Sequence, residues 1–122
     1  MNMKIAISAC GNDLSSRVDP RFGRAKYFLI VDAECNAVEA VDNAQNLNAV
    51  QGSGIQAAET VSRHGAQAVL TGHCGPKAFR ALAAAGIKVY IGVEGTVQEA
   101  VDQFKAGKIK EANKADVTGH WW

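Results

Sequence analysis

The feature that most constrains the fold is an alternation of helical and strand-like segments between residues 53 and 107. Helices are predicted over 54–64, from Pro76 to the residue before Gly86, and from Thr96 to Gly107. In the first of them Ile55, Ala58 and Val61 share one face, which is expected to be buried. Short apolar strands at 68–71 and 87–91 separate the helices. Successive strand–helix units of this kind bring parallel strands together through right-handed crossovers. The second half of the chain therefore predicts a layered α/β fold.

Local signals mark where these helices begin and end. Thr96 with Glu99, and Ser53 with Gln56, have the spacing of a capping box, in which two side chains satisfy the free N–H groups of a first turn. A glycine can close a helix in the left-handed conformation, and glycines stand at the predicted ends, namely Gly65, Gly86 and Gly107.

The first half of the chain predicts three further strands. One covers 3–9, and the segments 27–31 and 37–42 form a hairpin around the turn 32–36, with the second of them half-buried. The polar stretch 11–26 is predicted to be a long loop. The predicted order is therefore β-β-β-α-β-α-β-α, with a mixed sheet of about five strands. The tail 108–122 has no clear periodicity.

Composition places the chain among single-domain globular proteins. It has 122 residues, 48% hydrophobic and 20% charged, with a formal net charge of +1, so residues 1–122 are expected to form one domain and nucleic acid is not an expected partner. The apolar run 5–10 is too short for a signal peptide or a membrane span. Three widely spaced cysteines indicate neither a disulfide framework nor a zinc site, which favours a cytoplasmic protein with reduced thiols.

The junction between the fourth strand and the second helix carries the strongest chemical signal. Its sequence is Thr71-Gly72-His73-Cys74-Gly75-Pro76. In an open α/β sheet the carboxyl ends of strands and the amino ends of helices face one crevice, where backbone N–H groups favour anions and lower the pKa of a thiol. Cys74 and His73 are therefore candidate metal ligands. The alternative is that Cys74 is a small buried core residue.

Two further segments could face the same crevice. The run Asp19-Pro20-Arg21-Phe22-Gly23-Arg24 places arginines beside an aromatic ring, so that the arginines could hold an anion and Phe22 could shield it from water. Cys10 follows the first strand and could provide a second thiol, although core packing is an equal alternative.

Taken together, these runs resemble the dinitrogenase iron–molybdenum cofactor-binding family, which includes nitrogenase cofactor carriers and the free-standing orange proteins of sulfate-reducing bacteria. The resemblance covers nearly the whole chain. It is carried by four ordered motifs: Met3-Lys4-Ile5-Ala6-Ile7-Ser8, Asp19-Pro20-Arg21-Phe22-Gly23-Arg24-Ala25, Gly52-Ser53-Gly54-Ile55-Gln56-Ala57-Ala58 and Thr71-Gly72-His73-Cys74-Gly75-Pro76-Lys77-Ala78-Phe79.

This resemblance implies a three-layer α/β/α, ribonuclease-H-like fold without nuclease or other enzymatic activity. It implies that the ligand is a preassembled anionic metal–sulfur cluster of the iron–molybdenum or molybdenum–copper sulfide type, exchanged with a cluster donor or acceptor protein. Many relatives lack a cysteine at position 74, so thiolate ligation and purely electrostatic binding both stay open. The expected cluster-binding residues are Cys10, Arg21, Phe22, Gly23, Arg24, Gly72, His73, Cys74 and Gly75.

Two other functions are compatible with parts of the sequence. His73-Cys74 followed by five residues and Arg80 matches the pattern of cysteine phosphatases, but Pro76 removes a phosphate-binding donor and the segment reads as helix. A partner-binding module would use Trp121-Trp122 as its apolar patch. Nuclease chemistry would need converging carboxylates, and the aspartates are scattered along the chain.

Overall fold

The computed structural model describes residues 3–43 and 53–112. Five strands form one mixed sheet in the order β3-β2-β1-β4-β5. The chain order of strands and helices is β-β-β-α-β-α-β-α, which confirms the predicted order. The elements are β1 (Lys4–Ala9), β2 (Tyr27–Asp32), β3 (Val38–Asp42), α1 (Ser53–Arg63), β4 (Ala68–Leu70), α2 (Pro76–Ala84), β5 (Lys88–Tyr90) and α3 (Val97–Lys105).

Helices cover both faces of the sheet, so the fold has the expected three α/β/α layers. The central strands are apolar on both faces because each face packs against helices. On one face Ala6, Phe28 and Val69 meet residues of α1 and α2, including Val61 and Leu82. On the other face the buried side chains of the sheet meet α3 through Val97, Ala100 and Val101.

Strand directions bring several loops to one edge of the sheet. β4 pairs parallel with β5, as the crossover rule predicted for the later strands. β1 also pairs parallel with β4. β2 runs antiparallel to both β1 and β3. The ends of β1, β4 and β5 and the start of β2 therefore lie at the same edge, called the carboxyl edge below. The loops 10–26, 71–75 and 91–96 all lie along it.

The predicted helix ends agree well with the structure. Thr96 and Glu99 form the complete capping box at the start of α3, with the Thr96 hydroxyl accepting from the Glu99 N–H and the Glu99 carboxylate accepting from the Thr96 N–H. Gly65, Gly86 and Gly107 all have positive φ angles. The expected Ser53–Gln56 capping box and the tail beyond residue 112 lie outside what the structure describes.

Two burial predictions were wrong. The strand β3 was expected to be half-buried, but it is one of the two terminal strands of the sheet, and only Val41 in it is partly covered. Ile55 was placed on the inner face of α1 and is 39% exposed, while Ala57, Ala58 and Val61 carry the buried face. In both cases the sequence pattern gave the right element, and the packing of its neighbours decided which side is covered.

Candidate functional site

Two loops of the carboxyl edge are joined by backbone hydrogen bonds. The His73 N–H donates to the Pro20 carbonyl oxygen at 2.8 Å, and the Phe22 N–H donates to the His73 carbonyl oxygen at 3.3 Å. Arg21 and His73 thereby form a short parallel β-bridge outside the main sheet. Gly72 permits this contact, because a Cβ atom there would lie 2.7 Å from the Pro20 Cα. The two predicted site loops are therefore neighbours in space.

This bridge sorts the side chains of both loops into two sets. Residues that pair in a parallel bridge project to the same side, and the residues that follow them project to the opposite side. Arg21 is exposed and His73 is partly exposed, whereas Phe22 and Cys74 are fully buried. Arg21 and His73 thus share the open side of the edge, and their chain neighbours share the core.

The prediction that Phe22 shields an ion at the surface was wrong. Its ring is 0% exposed and packs against Phe28, with ring centroids 5.2 Å apart. It belongs to the core cluster beneath α1 and α2. Phe22 therefore anchors the arginine-bearing loop to the domain.

Cys74 is a buried core residue, which was the alternative to its interpretation as a metal ligand. Its side chain is 0% exposed and belongs to the same core cluster as Phe22, with the sulfur 3.7 Å from the Gly75 carbonyl oxygen. In this conformation a metal on the open side would not reach the thiol. The phosphatase hypothesis meets the same obstacle, because Arg80 is exposed on α2 while the thiol is enclosed.

Cys10 is the exposed thiol of this edge. Its N–H donates to the Arg17 carbonyl oxygen at 3.0 Å, which fixes the chain where it leaves β1. Partial burial raises the pKa of the Cys10 thiol and Asp19 adds to the rise, while the positive charges of Arg21, Arg17 and Lys26 oppose it. Cys10 therefore lies within the electrostatic reach of three cations and one carboxylate.

A buried hydrogen-bond network around Ser8, which no sequence motif predicted, holds the arginine loop in place. The Ser8 hydroxyl donates to the Asp19 carbonyl oxygen at 2.7 Å and shares a 2.8 Å hydrogen bond with the Thr71 hydroxyl. The Ser8 carbonyl oxygen also accepts from the Asp19 N–H at 2.8 Å. The sequence showed only a hydroxyl residue in each of two apolar predicted strands, Ser8 and Thr71, and this pattern rarely indicates a functional site.

Asn43 supports the other side of the same loop. It is fully buried, and its Nδ2 donates to the carbonyl oxygens of Ala25 at 2.8 Å and Gly23 at 3.4 Å. Gly23 is buried and Arg24 is partly exposed. No sequence motif marks Asn43, so its role as a loop support was not predicted. These two hydrogen bonds hold the backbone around Gly23 and Arg24, both of which are predicted site residues.

The start of α2 adds backbone donors to the edge. Gly75 is the N-cap residue, no side chain caps the helix, and Pro76 occupies the first turn, as predicted. The N–H groups of a first helical turn lack partners within the helix and carry partial positive charge. Together with the arginines of the facing loop, they make this edge attractive to anions.

The side chains of the edge fit an anion better than a bare metal ion. The segment 10–26 has four Arg and Lys residues against two aspartates, a net charge of +2. Across residues 3–43 and 53–112, no three His, Cys, Asp or Glu side chains gather in a way that could hold a metal. A preformed, negatively charged ligand suits such a donor set.

The chain is similar in sequence and fold to several known proteins. The family model described as dinitrogenase iron-molybdenum cofactor matches residues 3–107. A Methanocaldococcus jannaschii protein without an assigned function is 31% identical over 111 residues, which cover 89% of this chain and 91% of that one. The apo orange protein of Desulfovibrio gigas has 46% identity and a TM-score of 0.93, covering 96% of this chain and 98% of its own. A Thermotoga protein named as a NifB protein has 38% identity and a TM-score of 0.83, over 96% and 99% of the two chains.

Proposed function

The chain belongs to the dinitrogenase iron–molybdenum cofactor family, and from this premise we propose that it binds a preassembled anionic metal–sulfur cluster and carries or stores it. The cluster is of the iron–molybdenum or molybdenum–copper sulfide type, and the binding site is the carboxyl edge. The observation that supports this most directly is the Arg21–His73 bridge, which brings the two candidate loops together with their polar side chains on one open side.

The holding forces we propose are electrostatic. Arg21 and Arg24 donate N–H groups to the outer sulfur atoms, and His73 adds a ring donor beside them. The first turn of α2 contributes its helix dipole and backbone N–H groups. A cluster bound in this way brings its own metal–sulfur bonds, so the protein needs no complete ligand set.

The three thiols have different roles in this proposal. Cys10 is exposed at the edge and can approach a cluster, although ligation would require its proton to leave first. Cys74 supports the site by packing beneath it, and Cys35 lies in the β2–β3 turn at the opposite edge of the sheet. We propose no catalytic role for this site.

The cellular setting follows from the same proposal. A carrier requires a donor and an acceptor protein, and a reduced cluster with free thiols suits the cytoplasm. No helix in the described part of the chain is long and apolar enough to cross a membrane. The apolar pair Trp121-Trp122, which could serve a protein partner, lies outside the described residues.

An anaerobic titration tests the proposal. The metal-free protein is mixed with tetrathiomolybdate plus copper(I), and separately with extracted iron–molybdenum cofactor, then passed through gel filtration and analysed for metals and visible spectrum. Stoichiometric retention with new charge-transfer bands is expected from at least one source. Retention from neither source would refute cluster binding and shift the interpretation to a partner-binding module.

Variants locate the site. Arg21→Ala should weaken retention, because it removes a cation from the open side of the bridge. Arg80→Ala is the matched control, since it removes the same charge from an exposed position on α2. Cys74→Ala should leave retention unchanged in the fraction that folds. Equal retention by the Arg21 and Arg80 variants would show that the cluster binds elsewhere.

A further inference from the structure

Asp19 is a buried carboxylate beside the proposed cluster site. Its side chain is only 7% exposed, and its Oδ1 accepts the Arg21 N–H at 3.0 Å while lying 3.7 Å from the Arg21 Nε. Its backbone is fixed on β1 through Ser8. Its negative charge also acts on the Cys10 thiol. A negative charge therefore sits inside an edge whose other charged groups are mainly positive.

The fold does not require this charge. The turn needs an acceptor for the Arg21 N–H, and the side-chain oxygen of an asparagine forms the same turn. Burial of a carboxylate is unfavourable unless it is well paired. Within the described residues its one ion-pair partner is Arg21, whose side chain is 45% exposed. Aspartate and asparagine therefore differ at this position mainly in the negative charge that aspartate carries.

We propose that Asp19 is a positioning and affinity-setting residue of the anion site: it orients Arg21 and opposes the bound anion, which keeps binding reversible. This inference rests on the proposed function, because a carrier must release its cargo. The two effects of the carboxylate have opposite signs. Holding Arg21 in place favours the anion, whereas like-charge repulsion disfavours it.

Magnitudes decide which effect prevails. For a dianion at the rim of the site, removing one negative charge raises affinity about tenfold at low salt, with an effective dielectric constant between those of protein and water. Losing an exposed ion pair to Arg21 lowers affinity by about fivefold at most. Asp19→Asn keeps the oxygen acceptor for the turn and removes the charge. The variant should therefore bind anions more tightly.

The experiment compares the full-length wild type with Asp19→Asn. Tetrathiomolybdate binding and release are followed by visible spectroscopy without oxygen, and sulfate binding is followed through the amide NMR signals of Arg21 and His73. We expect about twofold to tenfold tighter binding of both dianions, slower release of tetrathiomolybdate, and a difference that shrinks as salt is added. Asp102→Asn, the same charge change on the exposed side of α3, should alter affinity less than twofold.

The outcomes separate this inference from the proposed function. If the wild type retains tetrathiomolybdate and a folded Asp19→Asn binds it equally or more weakly, the role of Asp19 is refuted and cluster binding stands. If the wild type retains a cluster from neither source but Asp19→Asn binds sulfate more tightly, cluster binding fails and the role of Asp19 in the anion site stands. Should Asp19→Asn not fold, Asp19→Ser keeps an uncharged acceptor for the turn, and the same gain or its absence decides the question.

Discussion

The contact between the two site loops depends on the absence of a side chain at Gly72, and Gly72→Ala should separate them. A Cβ atom would lie 2.7 Å from the Pro20 Cα and 2.9 Å from the Pro20 carbonyl oxygen, both of them backbone atoms that cannot rotate away. Restoring a 3.4 Å contact requires a shift of about 0.7 Å. The hydrogen bond from the His73 N–H would lengthen from 2.8 Å beyond normal range, and the 3.3 Å bond from the Phe22 N–H would break first.

The expected cost follows from these two bonds. Each contributes about 1 kcal/mol, and residual overpacking adds about 1 kcal/mol or less, for a total of about 2–3 kcal/mol. For a chain of 122 residues this lowers the melting temperature by about 6–15 °C. Urea unfolding of the metal-free protein measures the free energy. Tetrathiomolybdate retention, measured below the melting temperature, should fall as well because Arg21 no longer faces His73.

Gly11→Ala is the matched control. It also lies along the carboxyl edge, but its new Cβ would meet only Ser16: the hydroxyl can rotate away, and the Ser16 Cβ at 3.2 Å requires a shift of only about 0.2 Å. This variant should lose less than about 1 kcal/mol and retain the anion normally. If Gly72→Ala is as stable as the Gly11 variant and binds the anion equally well, the loops are not held together by the close contact at Gly72.

Two further predictions concern the supports of the edge. Ser8→Ala should reduce stability by about 1–3 kcal/mol in urea unfolding, because the Asp19 carbonyl oxygen and the Thr71 hydroxyl lose a buried partner; an unchanged midpoint would contradict this network. At α3, hydrogen bonds from Thr96 lower the pKa of Glu99. The folded-state pKa is thus below the unfolded one, so the stabilisation is present above about pH 4.5 and lost as pH falls through the folded value. Glu99→Gln should therefore be less stable than wild type at pH 7, and the difference should shrink as the pH falls below about 4.5; a pH-independent difference would exclude the carboxylate as its source.

Much of the fold could be predicted because its signals are local. The capping box at Thr96 and Glu99 and the glycines that close the helices act within a few residues, so a single sequence carries them. Parallel pairing of the later strands follows from the crossover rule. The exposure of Ile55 and of β3 could not be predicted in this way, since each depends on what the other elements cover.

The sequence by itself determined the order of strands and helices, the family, and the two loops that carry the candidate site. Only the tertiary structure decided which side chains of those loops face outward. The Arg21–His73 bridge places both residues on the open side and sends Phe22 and Cys74 into the core, although all four had been assigned to the site. The physical reason is that this pairing joins residues about fifty positions apart, and side-chain direction follows from the pairing, which local sequence patterns do not contain.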